Sequence, residues 1–463
     1  MSDPDPPQAS KDTRESGAAP IGGPVRLPRV VGLPGAVLMG LGSMVGTGVF
    51  VSLGFGAEVA GPAVVLAIAL AALIATLNGL SSAQLAASHP VSGGTYEYGY
   101  RYLGPQLGFV AGWTFLCAKT ASAATAALGL AGYVLSALGI NAAIWHMLLA
   151  LGAVFVITRL VLSGVRRSNA VNTAIVAITL FALLLFVISA LPAAIDSGRA
   201  HFVPFFAPAT PGAVEGAGPP AEGPLKGVLH ATALLFVAFT GYGRVATLGE
   251  EVREPRRTIP RAILLSLLAS MALYIAVGAV GIGSVGASRF AAATREAGAP
   301  LESIAFALDL PAARWVLAIG AVTAMLGVLL NLILGISRVL LAMGRRGDMP
   351  ASFAALDGEG KTPTTAVILT GMAIAALVLF GNLRAIWSFS AFTVLVYYAV
   401  TNLAALRLPP AERRYPRVIA VVGLLGCLFL AFWVERAVWA SGLAITGVGL
   451  IWHAIARRAG RSS

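Results

Sequence analysis

The amino-acid sequence predicts an all-α polytopic membrane protein with twelve transmembrane helices. Three observations predict it. Only 11% of the 463 residues are charged and 57% are hydrophobic, whereas soluble domains carry about 25% charged residues. Apolar runs of roughly twenty residues, the length that crosses a bilayer, recur from end to end. The basic residues gather at alternate ends of those runs, as the positive-inside rule requires.

Taken in order, residues 1–27 are polar and rich in Pro, Ser and Gly, which predicts a disordered cytoplasmic tail. They lack the apolar core and cleavage site of a signal peptide. The first span covers about 33–60 and the second about 63–88. The loop that follows, His89 to Gly104, carries Tyr96, Tyr98, Tyr100 and Tyr102, residues suited to the membrane interface. Glu97 and Arg101 are spaced to pair on one helical turn. The third span is about 105–138, the fourth 144–163 and the fifth 168–191, followed by a Pro/Gly/Ala-rich loop to 224. The sixth is about 225–252, the seventh 259–285, the eighth 312–344, the ninth 363–380, the tenth 383–406, the eleventh 417–434 and the twelfth 437–456.

Arg14, Arg166, Arg167, Arg253, Arg256, Arg257, Arg345, Arg346, Arg413 and Arg414 fall on one side of this scheme; Arg199, Arg289, Arg295, Arg384 and Arg436 are among the few on the other. Both termini then lie on the basic side, which predicts a cytoplasmic location for each. That distribution also accounts for the net charge of +12 without nucleic acid. Cys117 and Cys427 sit in apolar runs, which argues against a disulfide framework. The five histidines are scattered with no H-E-x-x-H, so an intramembrane metalloprotease has no support, and no cofactor or metal is implied.

Two spans break the pattern. The first contains Gly40, Gly42, Gly46 and Gly48 around Ser43 and Thr47, although glycine costs about 1 kcal/mol against alanine in a helix. Irregular backbone at membrane depth is tolerated where it is buried in protein or lines a cavity, so a broken helix is one reading. A small-residue packing seam is the other. The sixth span carries a matching interruption at Thr240-Gly241-Tyr242-Gly243. Interrupted helices at corresponding places in two halves point to a transporter site built from inverted repeats. A restarting half-helix offers N–H groups and a positive dipole end to a carboxylate. The half-helices that end near Met44 and near Val237, Ala238 and Thr240 offer carbonyls to an ammonium. A site with both ends suits a zwitterion such as an α-amino acid.

The segment Gly42 to Phe50 resembles the G-x-x-x-G-[ST]-G-[IV]-F signature of amino acid–polyamine–organocation permeases. Pro90 to Tyr96 resembles their P-x-S-G-G-x-Y loop. Phe239-Thr240-Gly241-Tyr242 with Glu250 to Pro260 resembles their F-x-G-[FY] and E-E-x-x-x-P segment. Ser337-Arg338 through Pro350 resembles the end of their eighth span. The resemblance implies a five-plus-five inverted repeat, residues 28–191 and 225–406, separated by an extracellular loop at 192–224. Two extra C-terminal helices and a short tail occupy 407–463. It also implies secondary transport of amino acids or amines across the plasma membrane, by proton symport or by exchange. By that resemblance Gly46, Thr47 and Gly48 hold the substrate carboxylate, the carbonyls of Met44, Val237, Ala238 and Thr240 hold its amine, and Phe239 is an aromatic lid. A transporter-like amino acid sensor is the alternative, and it would call for a cytoplasmic signalling domain.

Several other residues carry expectations of their own. Many prokaryotic relatives have a lysine in the fifth span; here that region has none, and Thr179 lies near its place. Lys119 lies about 14 residues past Pro105, roughly 21 Å along the third span, and is a candidate for ion coupling or a structural lysine bonded to helix-end carbonyls. Glu250 and Glu251 end the sixth span. They are expected to pair with Arg253, Arg257 or Arg338, as a static contact or a cytoplasmic gate. Arg244 is either a side-chain contact for substrate or a structural pair, and Asn331 reads as a helix-packing donor.

Overall fold

The computed structural model describes residues 31–89, 93–140, 142–164, 169–207, 223–246, 252–356 and 362–459. These residues form helices. The chain enters α1 (Leu33–Met44), breaks, and resumes through a π-helical turn at Gly48–Ser52 into α2 (Leu53–Ala60). Gly61 and Pro62 turn it through a short 3-10 segment into α3 (Val64–Ser88). A short amphipathic helix, α4 (Thr95–Tyr102), follows and buries Tyr96 and Tyr98. Then come α5 (Pro105–Leu138), α6 (Ala143–Leu162) and α7 (Asn169–His201). α5 opens with Pro105 and stops at Gly139, which takes a left-handed conformation, the usual punctuation of a helix at its two ends.

The second part runs through α8 (Pro224–Phe239), a 3-10 turn at Thr240–Tyr242 and the single turn α9 (Gly243–Ala246). It continues with α10 (Pro255–Val285), α11 (Ala287–Ala297), α12 (Pro300–Ala307), α13 (Pro311–Arg345), α14 (Thr364–Phe380), α15 (Leu383–Leu406), α16 (Arg417–Ala431) and α17 (Arg436–Ala459). Among the described residues, nine helical stretches are long and apolar enough to cross a membrane; α1, α14 and α16 are shorter apolar helices.

Two expectations need correction. The fifth apolar run does not stop before Pro192: α7 continues through it to His201. A proline costs a helix one hydrogen bond and crowds the preceding turn, which kinks a long helix without having to end it. The connection between the seventh and eighth runs is also not a plain loop but the pair α11 and α12. The tail at 1–27 lies outside the described residues.

α5 is the internal post of the bundle. It packs on α13 and α15, while α10 packs on α1, α3 and α7. In its most apolar stretch 83% of α5 is buried, against 22% in α6 and 17% in α17; the latter two therefore present the surface that faces lipid. Burying α5 on every side places its one lysine inside protein. At one end of the bundle a single parallel bridge joins Val31 to Val252, and the Arg253 N–H donates to Val31 O at 2.8 Å. That bridge ties the start of α1 to the segment leading into α10.

Candidate binding site at two helix breaks

The first break begins where α1 runs out of helical geometry. Val45 is extended (φ −79°, ψ 94°), and its N–H makes the last bond of the helix, to Leu41 O at 2.7 Å. Gly46 O then receives the N–H groups of both Val49 and Phe50 at 3.1 Å, which starts the π turn. Between these two segments the Thr47 hydroxyl is buried and has no hydrogen-bond partner. Buried hydroxyls are seldom left unpaired; that of Tyr242, at the second break, is another.

The second break is held by side chains. The Thr240 N–H and the Thr240 hydroxyl both donate to Val237 O, the hydroxyl at 2.8 Å. Lys119 Nζ donates to Thr240 Oγ1 at 3.0 Å, and the Tyr398 hydroxyl donates to Thr240 O at 3.2 Å. Trp387 Nε1 donates to Leu234 O at 2.9 Å one turn earlier.

The two breaks lie against each other. A Cβ added to Gly48 would stand 2.7 Å from Ala238 Cβ and 3.3 Å from the Tyr274 hydroxyl. A Cβ added to Gly241 would stand 2.3 Å from Ser43 O and 2.6 Å from Met44 N. Only glycine permits backbones to approach this closely. Gly46 meets the flank of α13, with its would-be Cβ 2.6 Å from Val328 Cγ2. Thr47, Ala238, Phe239 and Thr240 are all buried, whereas Ser43, Gly241 and Gly243 are half-buried.

Tyr274 of α10, absent from the sequence expectation, joins them. Its hydroxyl lies 2.7 Å from Met44 O and 3.2 Å from Ala238 O. A phenol has one proton and serves these acceptors one at a time. Its ring leans on Phe239, with centroids 5.1 Å apart. The expectation that the carbonyls of Met44, Val237, Ala238 and Thr240 are free is therefore corrected in part: Val237 O and Thr240 O each accept from a hydroxyl, while Met44 O and Ala238 O share the one Tyr274 proton. Tyr398 was missed for the same reason as Tyr274. A phenol inside an apolar span has no local motif; its need for a partner when buried is the only clue.

The other singled-out residues are distributed as follows. Lys119 reaches the second break. Thr179 is buried and bonds back to Ile175 O of its own helix at 2.7 Å. Two turns earlier on α7, Asn172 Nδ2 donates to Leu38 O of α1 at 3.3 Å. Arg244 is the second residue of α9 and is half-buried, Asn331 is half-buried on α13, and Arg338 is exposed on α13. Glu250 and Glu251 lie outside the described residues.

Charged networks close both ends of the bundle. At one end Glu58 of α2 pairs with Arg295 of α11 (3.1 Å) and Arg384 of α15 (2.9 Å); Arg384 also reaches Glu435 at 3.2 Å, and Glu435 lies 3.6 Å from His230 of α8. Burial alone would raise the Glu435 carboxyl, but its contacts with His230 and Arg384 hold it down at about 2. At the other end Asp348 accepts from Tyr96 at 2.7 Å and from Tyr100 at 2.5 Å, and it lies 3.2 Å from His453. Glu97 there pairs with Arg346.

The amino acid permease family model matches residues 35–458. An uncharacterized transporter of Mycobacterium tuberculosis is 40% identical over 444 residues, 94% of this chain and 92% of the relative. A branched-chain amino acid permease of Bacillus subtilis is 30% identical over 445 residues, 89% of each chain. A cationic amino acid transporter of Homo sapiens is 29% identical over 396 residues, 80% of this chain and 58% of that protein.

Proposed function

The chain belongs to the amino acid permease family, whose members are membrane transporters and not enzymes, and from that premise we propose that it moves amino acids across the plasma membrane by alternating access. The observation that carries this reading is the contact of the two breaks, Gly48 on Ala238 and Gly241 on Ser43–Met44. It brings a restarting half-helix and two ending half-helices to one buried point. Such a point can hold a carboxylate at one end and an ammonium at the other. The unpartnered Thr47 hydroxyl supports carboxylate binding by Gly46, Thr47 and Gly48. The carbonyls of Met44 and Ala238 take the amine once Tyr274 yields them.

In this reading the twelve spans form two five-helix inverted repeats followed by α16 and α17, and both termini face the cytoplasm. The α1–α10 bridge and the Glu58 network loosen in turn as the two ends open. Lys119 carries the coupling proton, or stands in for a bound cation. A charge at this depth costs about 2.5–3.5 kcal/mol on insertion scales. Its contact with Thr240 at the C-terminal end of α8 places it where a helix dipole favours a cation.

The relatives named for branched-chain and for cationic amino acids leave the substrate's side chain to the residues of the site. Uptake of a panel of labelled amino acids and amines by proteoliposomes, with and without a pH gradient, tests the proposal. Saturable uptake of at least one amino acid supports it. Binding without uptake under any gradient or trans-loading would instead favour a sensor. Lys119→Met should flatten the pH dependence of uptake, and an unchanged profile in a well-folded variant would remove Lys119 from coupling.

A further inference from the structure

Lys119 raises a question of charge that coupling does not answer. It is 9% exposed, inside the most buried of the nine long apolar spans. The Thr240 hydroxyl spends its proton on Val237 O, so its lone pair faces Lys119 Nζ and the lysine must be the donor. The ion pairs among the described residues use Glu58, Glu97, Glu254, Glu302, Asp348 and Glu435, and none of these pairs with Lys119.

The other groups whose contacts reach the breaks are neutral, and the half-buried cation Arg244, two residues past the second break, has a partner of its own. α10 presents the Tyr274 hydroxyl and α15 the Tyr398 hydroxyl. Ser122 of α5 and Ser390 of α15 bond to each other at 2.8 Å, one turn along from Lys119, and Ser390 donates to Ala118 O. α13 brings Val328 to Gly46. The first break adds the Thr47 hydroxyl. Lys119 is thus the one formal charge that these contacts bring to the breaks.

We propose that Lys119 makes this site a charge filter, which admits amino acids of zero or negative net charge and rejects amines and amino acids with a cationic side chain. The proposal rests on the reading of the two breaks as the substrate site. A zwitterion brings a carboxylate to offset its own ammonium. A second cation has no such offset. Brought within about 7 Å of the lysine at an effective permittivity of about 20, it loses roughly fifty-fold in affinity. A lysine that carries the coupling proton is charged when substrate binds, and the filter acts in that state.

The test compares L-norleucine with L-lysine, which share a backbone and a four-carbon side chain and differ by the ammonium that lysine adds at the tip. Both are titrated calorimetrically into the purified full-length protein. The wild type should bind L-norleucine at least tenfold more tightly than L-lysine. In Lys119→Gln and in Lys119→Met that ratio should fall at least tenfold, whatever happens to either affinity alone. Lys119→Arg should preserve it. A wild-type ratio near one overturns the filter without recourse to any variant, and so does a ratio unchanged in both neutral variants. If the wild type binds no amino acid from a full panel, the transporter reading itself fails, a result distinct from binding without charge selection.

Discussion

The two helix breaks meet the same physical demand with different atoms. The first is built from absence: Gly46 and Gly48 clear space against Val328 and Ala238, the Thr47 hydroxyl has no partner, and Met44 O relies on a phenol from another helix. The second is built from side chains, with Thr240, Lys119 and Tyr398 satisfying one another and the backbone. Each break leaves one buried hydroxyl unpartnered, Thr47 at the first and Tyr242 at the second, but only the second has its backbone end held by a lysine and a threonine side chain.

The largest expected effect tests the close backbone approach at the first break. Gly48→Val puts two methyls where a single Cβ already meets Ala238 at 2.7 Å. Substrate affinity should drop at least about a hundredfold, equivalent to about 2.7 kcal/mol, in a protein that still inserts and elutes as a single species. Unchanged affinity would return this segment to simple helix packing.

Next comes the ring that joins the breaks. Phe239 is fully buried against Tyr274. Phe239→Ala should weaken binding or leak substrate far more than Phe239→Trp, by about tenfold or more; truncating a buried aromatic ring costs about 3–5 kcal/mol, part of it borne by the fold. Equal behaviour of the two variants in uptake would make Phe239 a packing residue.

Smaller effects should separate the two phenols. Tyr274→Phe and Tyr398→Phe each remove a hydroxyl that serves a break carbonyl, and each should lower stability by about 1 kcal/mol. Substrate should restore the melting temperature of Tyr274→Phe, because the substrate amine takes over Met44 O and Ala238 O. It should do so less for Tyr398→Phe. Identical rescue by ligand would erase the distinction between the breaks.

The smallest effect at neutral pH lies away from the breaks. The Glu435 carboxyl is held at about 2, below its ordinary 4.5, in a half-enclosed network with His230 and Arg384. A depressed carboxylate stabilises the folded state above its unfolded pKa and loses that contribution as pH falls through the folded value. Melting temperature should therefore decline between about pH 5 and pH 2 more steeply in the wild type than in Glu435→Gln. Parallel curves would show that the network adds nothing to closure at that end.

Much of this architecture was legible in the sequence because it is written locally. Runs of apolar residues mark spans, Pro105 and Gly139 bracket α5, and four glycines within nine residues mark the first break. What was not legible depends on distant contacts. Tyr274 lies 230 residues from the carbonyl it serves, and Glu58, Arg295, Arg384 and Glu435 come from four separate segments. Pro192 misled in the opposite sense, since the helix around it outweighs one lost hydrogen bond. Lys119 was legible as an anomaly of depth, but its partner Thr240 was not.

The central claim is that the first break reads the substrate's carboxylate. The direct measurement is the affinity of L-norleucine against n-pentylamine, the same molecule without its carboxylate, in the wild type and in Gly48→Ala. The account predicts that losing the carboxylate weakens binding at least about a hundredfold in the wild type, and that Gly48→Ala shrinks this gap by at least about tenfold by weakening L-norleucine alone. A gap of the same size in both proteins would contradict it.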